Sequence, residues 1–256
     1  MHNYALPDMT ITNTNLVIRL QPKPQADIRL FCFPYAGGGA LSFRTWANLA
    51  TNVEVCAIDF PGRGTQMKSP PLTRLEPLVD AIAVSILPHL DKPFAFFGHS
   101  MGAIVAFELT RRLHKYKIEP LHLFVSGRCA PQITSQEPLM HTLPEPEFVA
   151  KLRHLNGTPE AVLNNTELME LLSPILRADF AAIETYVYTE ELPLNCPITA
   201  FGGLQDSETN ITELEAWQQQ TTADFSIQML PGDHFFLHFA EDLLLNIVRK
   251  SLRVDN

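Results

Sequence analysis

One short segment limits the possible folds of this chain more than any other. Residues 96–104 read FFGHSMGAI: an apolar run, a serine flanked two positions away on each side by glycine, then a second apolar run that continues as AIVAFELTRRL. A strand that turns directly into a helix at Ser100 strains that residue's backbone and crowds the positions two before and two after it. Gly98 and Gly102 have no Cβ to collide there. G-x-S-x-G between a strand and a helix is the nucleophile-elbow pattern. It lifts the serine oxygen to the carboxyl end of a sheet, beside a helix N-terminus whose dipole and free N–H groups favour negative charge.

The neighbouring sequence fits that placement. IRLFCF (28–33), VEVCAIDF (53–60), FAFFG (94–98) and LHLFVSG (121–127) are short apolar runs that read as buried strands. SFRTWANLA, LEPLVDAIAVSILPHL (75–90) and the segment from Met101 to about Tyr116 have helical patterning and alternate with them. An earlier strand fits NLVIRL, within an otherwise polar arm (1–26) that carries Pro7, Pro22 and Pro24. After Arg128 the alternation stops, and residues 130–192 read as proline-broken helices inserted over one end of the sheet. It resumes with CPITAFGG (196–203), TELEAWQQQ, FSIQML (225–230) and a last helix, FFLHFAEDLLLNIVRKSL. The fold class is therefore α/β, a mainly parallel sheet flanked by helices, in one domain over 1–256 with a helical insertion.

A serine hydroxyl needs a base, and on this fold the order along the chain is serine, acid, histidine. His234, in LPGDHFFLH, follows the last strand and returns to the carboxyl edge. The other histidines lie on helices, in the arm, at a strand start or, for His99, inside the elbow. His238 is four residues on, a spacing that also suits a metal pair, but no third ligand is near in sequence. Asp206, in GGLQDSE after CPITAFGG, is the acid that would orient the imidazole and stabilise its cation. Asp179 sits in a helical pattern, Asp224 precedes a strand, and Asp233 fits a turn cap. The PYAGGG loop (34–39) lacks the GK[ST] of a phosphate loop. In this fold it supplies one oxyanion donor and the residue after the nucleophile supplies the other, here the Ala36 and Met101 amides. Arg63, in PGRG, reads either as a surface charge or as a contact for an anionic group at the mouth. Leu163, Leu168, Met169 and Leu172 read mostly as core of the insertion.

Charge and composition exclude other classes. Nineteen Lys and Arg against 28 Asp and Glu give a net charge of −9, which speaks against nucleic-acid binding. Cys32, Cys56, Cys129 and Cys196 lie in or beside apolar runs without CxxC spacing and read as free thiols of a reducing compartment. The first twenty residues lack a signal-peptide pattern, and no apolar run reaches the ~18 residues of a membrane span. Cytoplasmic, with no membrane association, is the expectation.

Taken together, LFCFPYAGGGALSFRTWA (30–47), IDFPGRG (58–64), FFGHSMGAIVAFELTRRL (96–113), FVSGRCAP (124–131), ITAFGGLQDSE (198–208) and LPGDHFFL (230–237) resemble the type II thioesterases, the stand-alone editing enzymes of nonribosomal peptide and polyketide synthesis. The motifs span nearly the whole chain in the family's order. One departure is GTQMK after PGRG, where the family often has a second arginine. The resemblance implies an α/β-hydrolase fold with a mobile helical lid at about 130–192. It also implies hydrolysis of acyl groups from the phosphopantetheine arm of an acyl or peptidyl carrier protein. No cofactor is implied, since the substrate carries the phosphopantetheine, and a monomer is. A carrier is acidic, so a chain at −9 needs a local basic or apolar docking patch near the lid mouth, with Arg63 and Arg128 as candidates. The same Ser-His-Asp set also serves small-ester hydrolases and acyltransferases. A non-catalytic carrier binder would be free to lose Ser100 or His234, and both are present.

Overall fold

The computed structural model describes residues 15–134 and 138–254. Its centre is a seven-stranded sheet of β1 (Val17–Arg19), β2 (Ile28–Phe33), β3 (Val53–Ile58), β4 (Phe94–His99), β5 (Leu123–Ser126), β6 (Ile198–Gly203) and β7 (Phe225–Leu230), in the spatial order β1-β3-β2-β4-β5-β6-β7. Only β1 is antiparallel, pairing Val17 with Ile58 at the edge, and the other pairings are parallel. Every residue of β2, β3, β4, β5 and β6 is buried. That is the pattern of strands covered on both faces, and it makes each a largely apolar run in sequence; the buried charges Arg29 of β2 and Glu54 of β3 pair with each other, Nε to Oε2 at 2.7 Å.

On one face, α1 (Leu75–Ile86) and α2 (Met101–His114) pack on the sheet and bury Leu78, Ile82, Ile104 and Leu109 against Phe31, Phe96 and Val125. On the other, the residue 40–48 segment and the C-terminal helix cover Phe97, Phe124 and Phe201 with Phe43, Trp46, Leu244 and Val248. The helix expected there, at 40–48, is a 3-10 helix. The final helix divides into a single turn and a longer helix that has acidic residues in its first turn and Arg249 and Lys250 in its last, the arrangement a helix dipole favours.

Between β5 and β6 lies a helical block: α3 (Glu145–Leu155), α4 (Glu160–Leu163) and α5 (Thr166–Glu184). As the proline-broken reading expects, Pro144 and Pro159 are the N-caps of α3 and α4, while α5 runs on through Pro174 as one helix. The block has its own small core of Met140, Phe148, Leu152, Leu163, Met169 and Leu176, with Leu172 packed against it. Leu168 is exposed. None of the described helices is long and apolar enough to cross a membrane.

Candidate active site

The turn from β4 into α2 is as tight as its glycines require. Ser100 has φ 53° and ψ −115°, a left-handed conformation that costs a non-glycine residue energy. A Cβ on Gly98 would lie 2.1 Å from the Gly102 carbonyl oxygen, and one on Gly102 would lie 2.1 Å from the Phe33 oxygen. The second contact sets the start of α2 against the end of β2, where the PYAGGG loop begins. The Ser100 N–H donates to Ser126 O at 2.7 Å, so the turn is also tied to β5.

Adjacent loops carry the acid and the histidine. β6 and β7 are neighbours, and their carboxyl-end loops are joined by Leu204 N–H to Leu230 O (2.8 Å), Gln205 N–H to Gly232 O (2.9 Å) and Gly232 N–H to the Gln205 side chain (2.8 Å). This brings His234 Nδ1 to 3.0 Å from Asp206 Oδ2. The Asp206 side chain is fully buried and that of His234 nearly so. Asp206 is therefore not a solvated loop carboxylate, and its other oxygen accepts from Glu208 N–H at 2.8 Å. The Ser100 hydroxyl and His234 Nε2 have no hydrogen-bond partner among the described residues.

The serine turn lies beside this pair. The ring of His99, the residue before Ser100, is centred 5.2 Å from that of His234. His99 is fully buried and its Nδ1 lies 2.9 Å from Ser126 Oγ. Burial, helped by His234 and His238, holds its pKa well below the usual histidine range. His99 therefore stays neutral in the fold, while the unfolded chain takes up a proton below about pH 6.5. The stability this contributes is complete above that pH and is lost as pH falls. In a thermal-unfolding series at falling pH, His99→Asn should lose Tm less steeply than the parent below about pH 6.5. Parallel slopes would contradict this.

Phe235 and Tyr35 form an aromatic wall next to the histidines, with ring centroids 4.9 Å apart. Neither was singled out in sequence, although Phe235 directly follows His234 and Tyr35 lies within PYAGGG. His238 faces Tyr35, Nε2 to OH at 3.2 Å, and not a metal-type cluster; no group of three or more metal-type ligands occurs among the described residues. Asp233 caps the turn through Phe235 N–H at 2.9 Å and accepts from Asn156 Nδ2 of the helical block at 3.0 Å. The Ala36 and Met101 amides have no acceptor among the described residues.

Arg63 requires a correction. It is neither a surface charge nor a free docking cation, because it is buried and its guanidinium forks onto Asp179 of α5, Nη1 to Oδ2 at 2.5 Å and Nη2 to Oδ1 at 2.6 Å. A planar fork matched to a carboxylate satisfies both charges away from water. Asp179, set aside in sequence as a helical residue, is the partner. Arg128 is half-buried, and its Nε has no hydrogen-bond partner among the described residues.

The chain is similar to known proteins over most of its length. The thioesterase domain family profile matches residues 28–252. The chain is 48% identical to the gramicidin S biosynthesis protein GrsT of Aneurinibacillus migulanus over 90% of each chain. It is 35% identical to the medium-chain S-acyl fatty acid synthase thioesterase of Rattus norvegicus over 95% of each. Among solved structures, the type II thioesterase BorB from the borrelidin biosynthetic cluster superposes with a TM-score of 0.86 at 35% identity, covering 93% of this chain and 98% of BorB.

Proposed function

This chain belongs to the thioesterase domain family, and from that premise we propose that it is a serine thioesterase acting on acyl groups carried by the phosphopantetheine arm of carrier proteins in nonribosomal peptide or polyketide synthesis. The observation that carries the reading is the buried Asp206–His234 pair, 3.0 Å apart, beside a serine held on a strained turn. The likeness to the gramicidin S and borrelidin pathway proteins supports the substrate class.

In the proposed mechanism, Ser100 Oγ attacks the thioester carbonyl carbon while His234 Nε2 takes the hydroxyl proton. Asp206 holds the imidazole by Nδ1 and stabilises the cation that forms. The Ala36 and Met101 amides donate to the oxyanion. As the tetrahedral intermediate collapses, the C–S bond breaks and His234 returns the proton to the leaving pantetheine thiolate. Water, deprotonated by His234, then attacks the acyl-serine ester. The C–Oγ bond then breaks, His234 gives its proton to Ser100 Oγ, and the free acid leaves with Ser100 regenerated.

The test compares one acyl group in three settings: on a phosphopantetheinylated carrier protein, on coenzyme A and as a simple oxygen ester. The expected result is a kcat/KM at least about tenfold higher on the carrier than on coenzyme A, equivalent to about 1.4 kcal/mol of added transition-state binding. Equal or better turnover of the oxygen ester would make the protein a general esterase with the same chemistry.

A further inference from the structure

The oxyanion loop and the helical block meet at one carboxylate. Asp179 is 2% exposed, and its Oδ2 accepts the Gly37 N–H at 2.7 Å. Arg63, which grips the same carboxylate, also donates to Gly38 O at 3.1 Å. Beyond these contacts, Asp59 Oδ1 accepts from Ala40 N–H at 2.7 Å. One turn before Asp179 on α5, Leu176 occupies the space a side chain at Gly37 would need: a Cβ there would meet Leu176 Cδ2 at 2.5 Å, and Gly37 has φ +78°.

These contacts act on the peptide units that flank Ala36. The Gly38 N–H donates to Tyr35 O at 2.9 Å, and that carbonyl shares a rigid plane with the Ala36 N–H. The next plane, Ala36–Gly37, is held by Asp179 through the Gly37 N–H. With both planes fixed, the direction of the Ala36 N–H is fixed as well. A donor serves an oxyanion only if it is aimed in advance at the position the charge will occupy.

We propose that Asp179 is a positioning residue for thioester hydrolysis: carried on α5 and clamped by Arg63, it sets the Ala36–Gly37 peptide so that the Ala36 amide meets the oxyanion. The inference rests on Ala36 as an oxyanion donor and Ser100 as nucleophile. It also makes the helical block part of the catalytic frame, since α5 supplies the carboxylate.

The experiment measures butyryl-coenzyme A hydrolysis, inhibition by butylboronic acid and thermal unfolding. Butylboronic acid adds to the serine and places an oxygen in the hole. Asp179→Asn should lower kcat about 10- to 100-fold, below the 10²–10³ of deleting a donor outright, with KM within about twofold. Boronate affinity should weaken with kcat. A purely structural ion pair would not produce that pairing. The double variant Arg63→Met with Asp179→Leu removes both charges together, so no uncompensated charge is left buried. It should fold with a Tm near that of the parent and remain slow. Parent-like kcat in either folded variant, or a loss confined to KM, would overturn the assignment. Ser100→Ala separates the two levels: if it is inactive while the Asp179 variants match the parent, only the role of Asp179 fails. If it turns over normally, the serine mechanism fails and the inference with it.

Discussion

Ser100→Ala is expected to lower kcat for acyl-thioester hydrolysis by about 10⁴–10⁶-fold while leaving the fold intact. The loss is large because the hydroxyl is the atom that forms the acyl intermediate. The oxyanion donors and the binding surface remain and can supply only residual acceleration over water. Thermal unfolding should change little, since Ser100 Oγ makes no hydrogen bond among the described residues and alanine removes only that atom. Single-turnover measurements with an acyl-coenzyme A, followed by mass spectrometry for acylated protein, read both steps. Parent-like turnover in a folded variant would remove Ser100 from the mechanism.

Gly98→Ala is the corresponding prediction for stability. The added methyl would lie 2.1 Å from Gly102 O, 2.4 Å from Gly102 C and 2.6 Å from Ala103 N, all backbone atoms. No side-chain rotation relieves such a clash, so β4 and α2 must separate, and both belong to the central core. A cost on the order of 4 kcal/mol or more follows for overpacking at a special backbone position. Against a total of about 5–15 kcal/mol this is a large fraction. Urea denaturation should show a much lower midpoint or too little soluble protein to titrate. A parent-like midpoint would mean the turn is looser than its contacts indicate.

These two glycines also show what the sequence makes visible. The parallel strands were legible because burial on both faces turns each into an apolar run, as in FCF of β2 or FAFF of β4. Asp206 and His234 were legible because each follows a recognisable strand, and adjacent parallel strands bring their carboxyl-end loops together. The Arg63–Asp179 pair had no comparable signal. Its members are 116 positions apart, and a single carboxylate in a helical pattern looks like an ordinary solvated residue until the chain folds back. By contrast, prolines in the block did mark helix boundaries, since Pro144 and Pro159 are the N-caps of α3 and α4. In the 40–48 segment the pattern identified a helix but not its pitch, because a buried Phe43 and Trp46 three positions apart suit a 3-10 turn as well as an α turn.

Helix α5 belongs to two cores. Met169 and Leu176 pack within the helical block, while Ala182 and Ile183, two turns further on, pack in the main core beneath the sheet. A chimera that imports the block from a relative at its outer loops would therefore carry away part of the host's interior, together with the partner of Arg63. Recombination between relatives is constrained in the same way: the junction that leaves both interiors whole falls inside α5, between Leu176 and Ala182, and Asp179 lies within that interval.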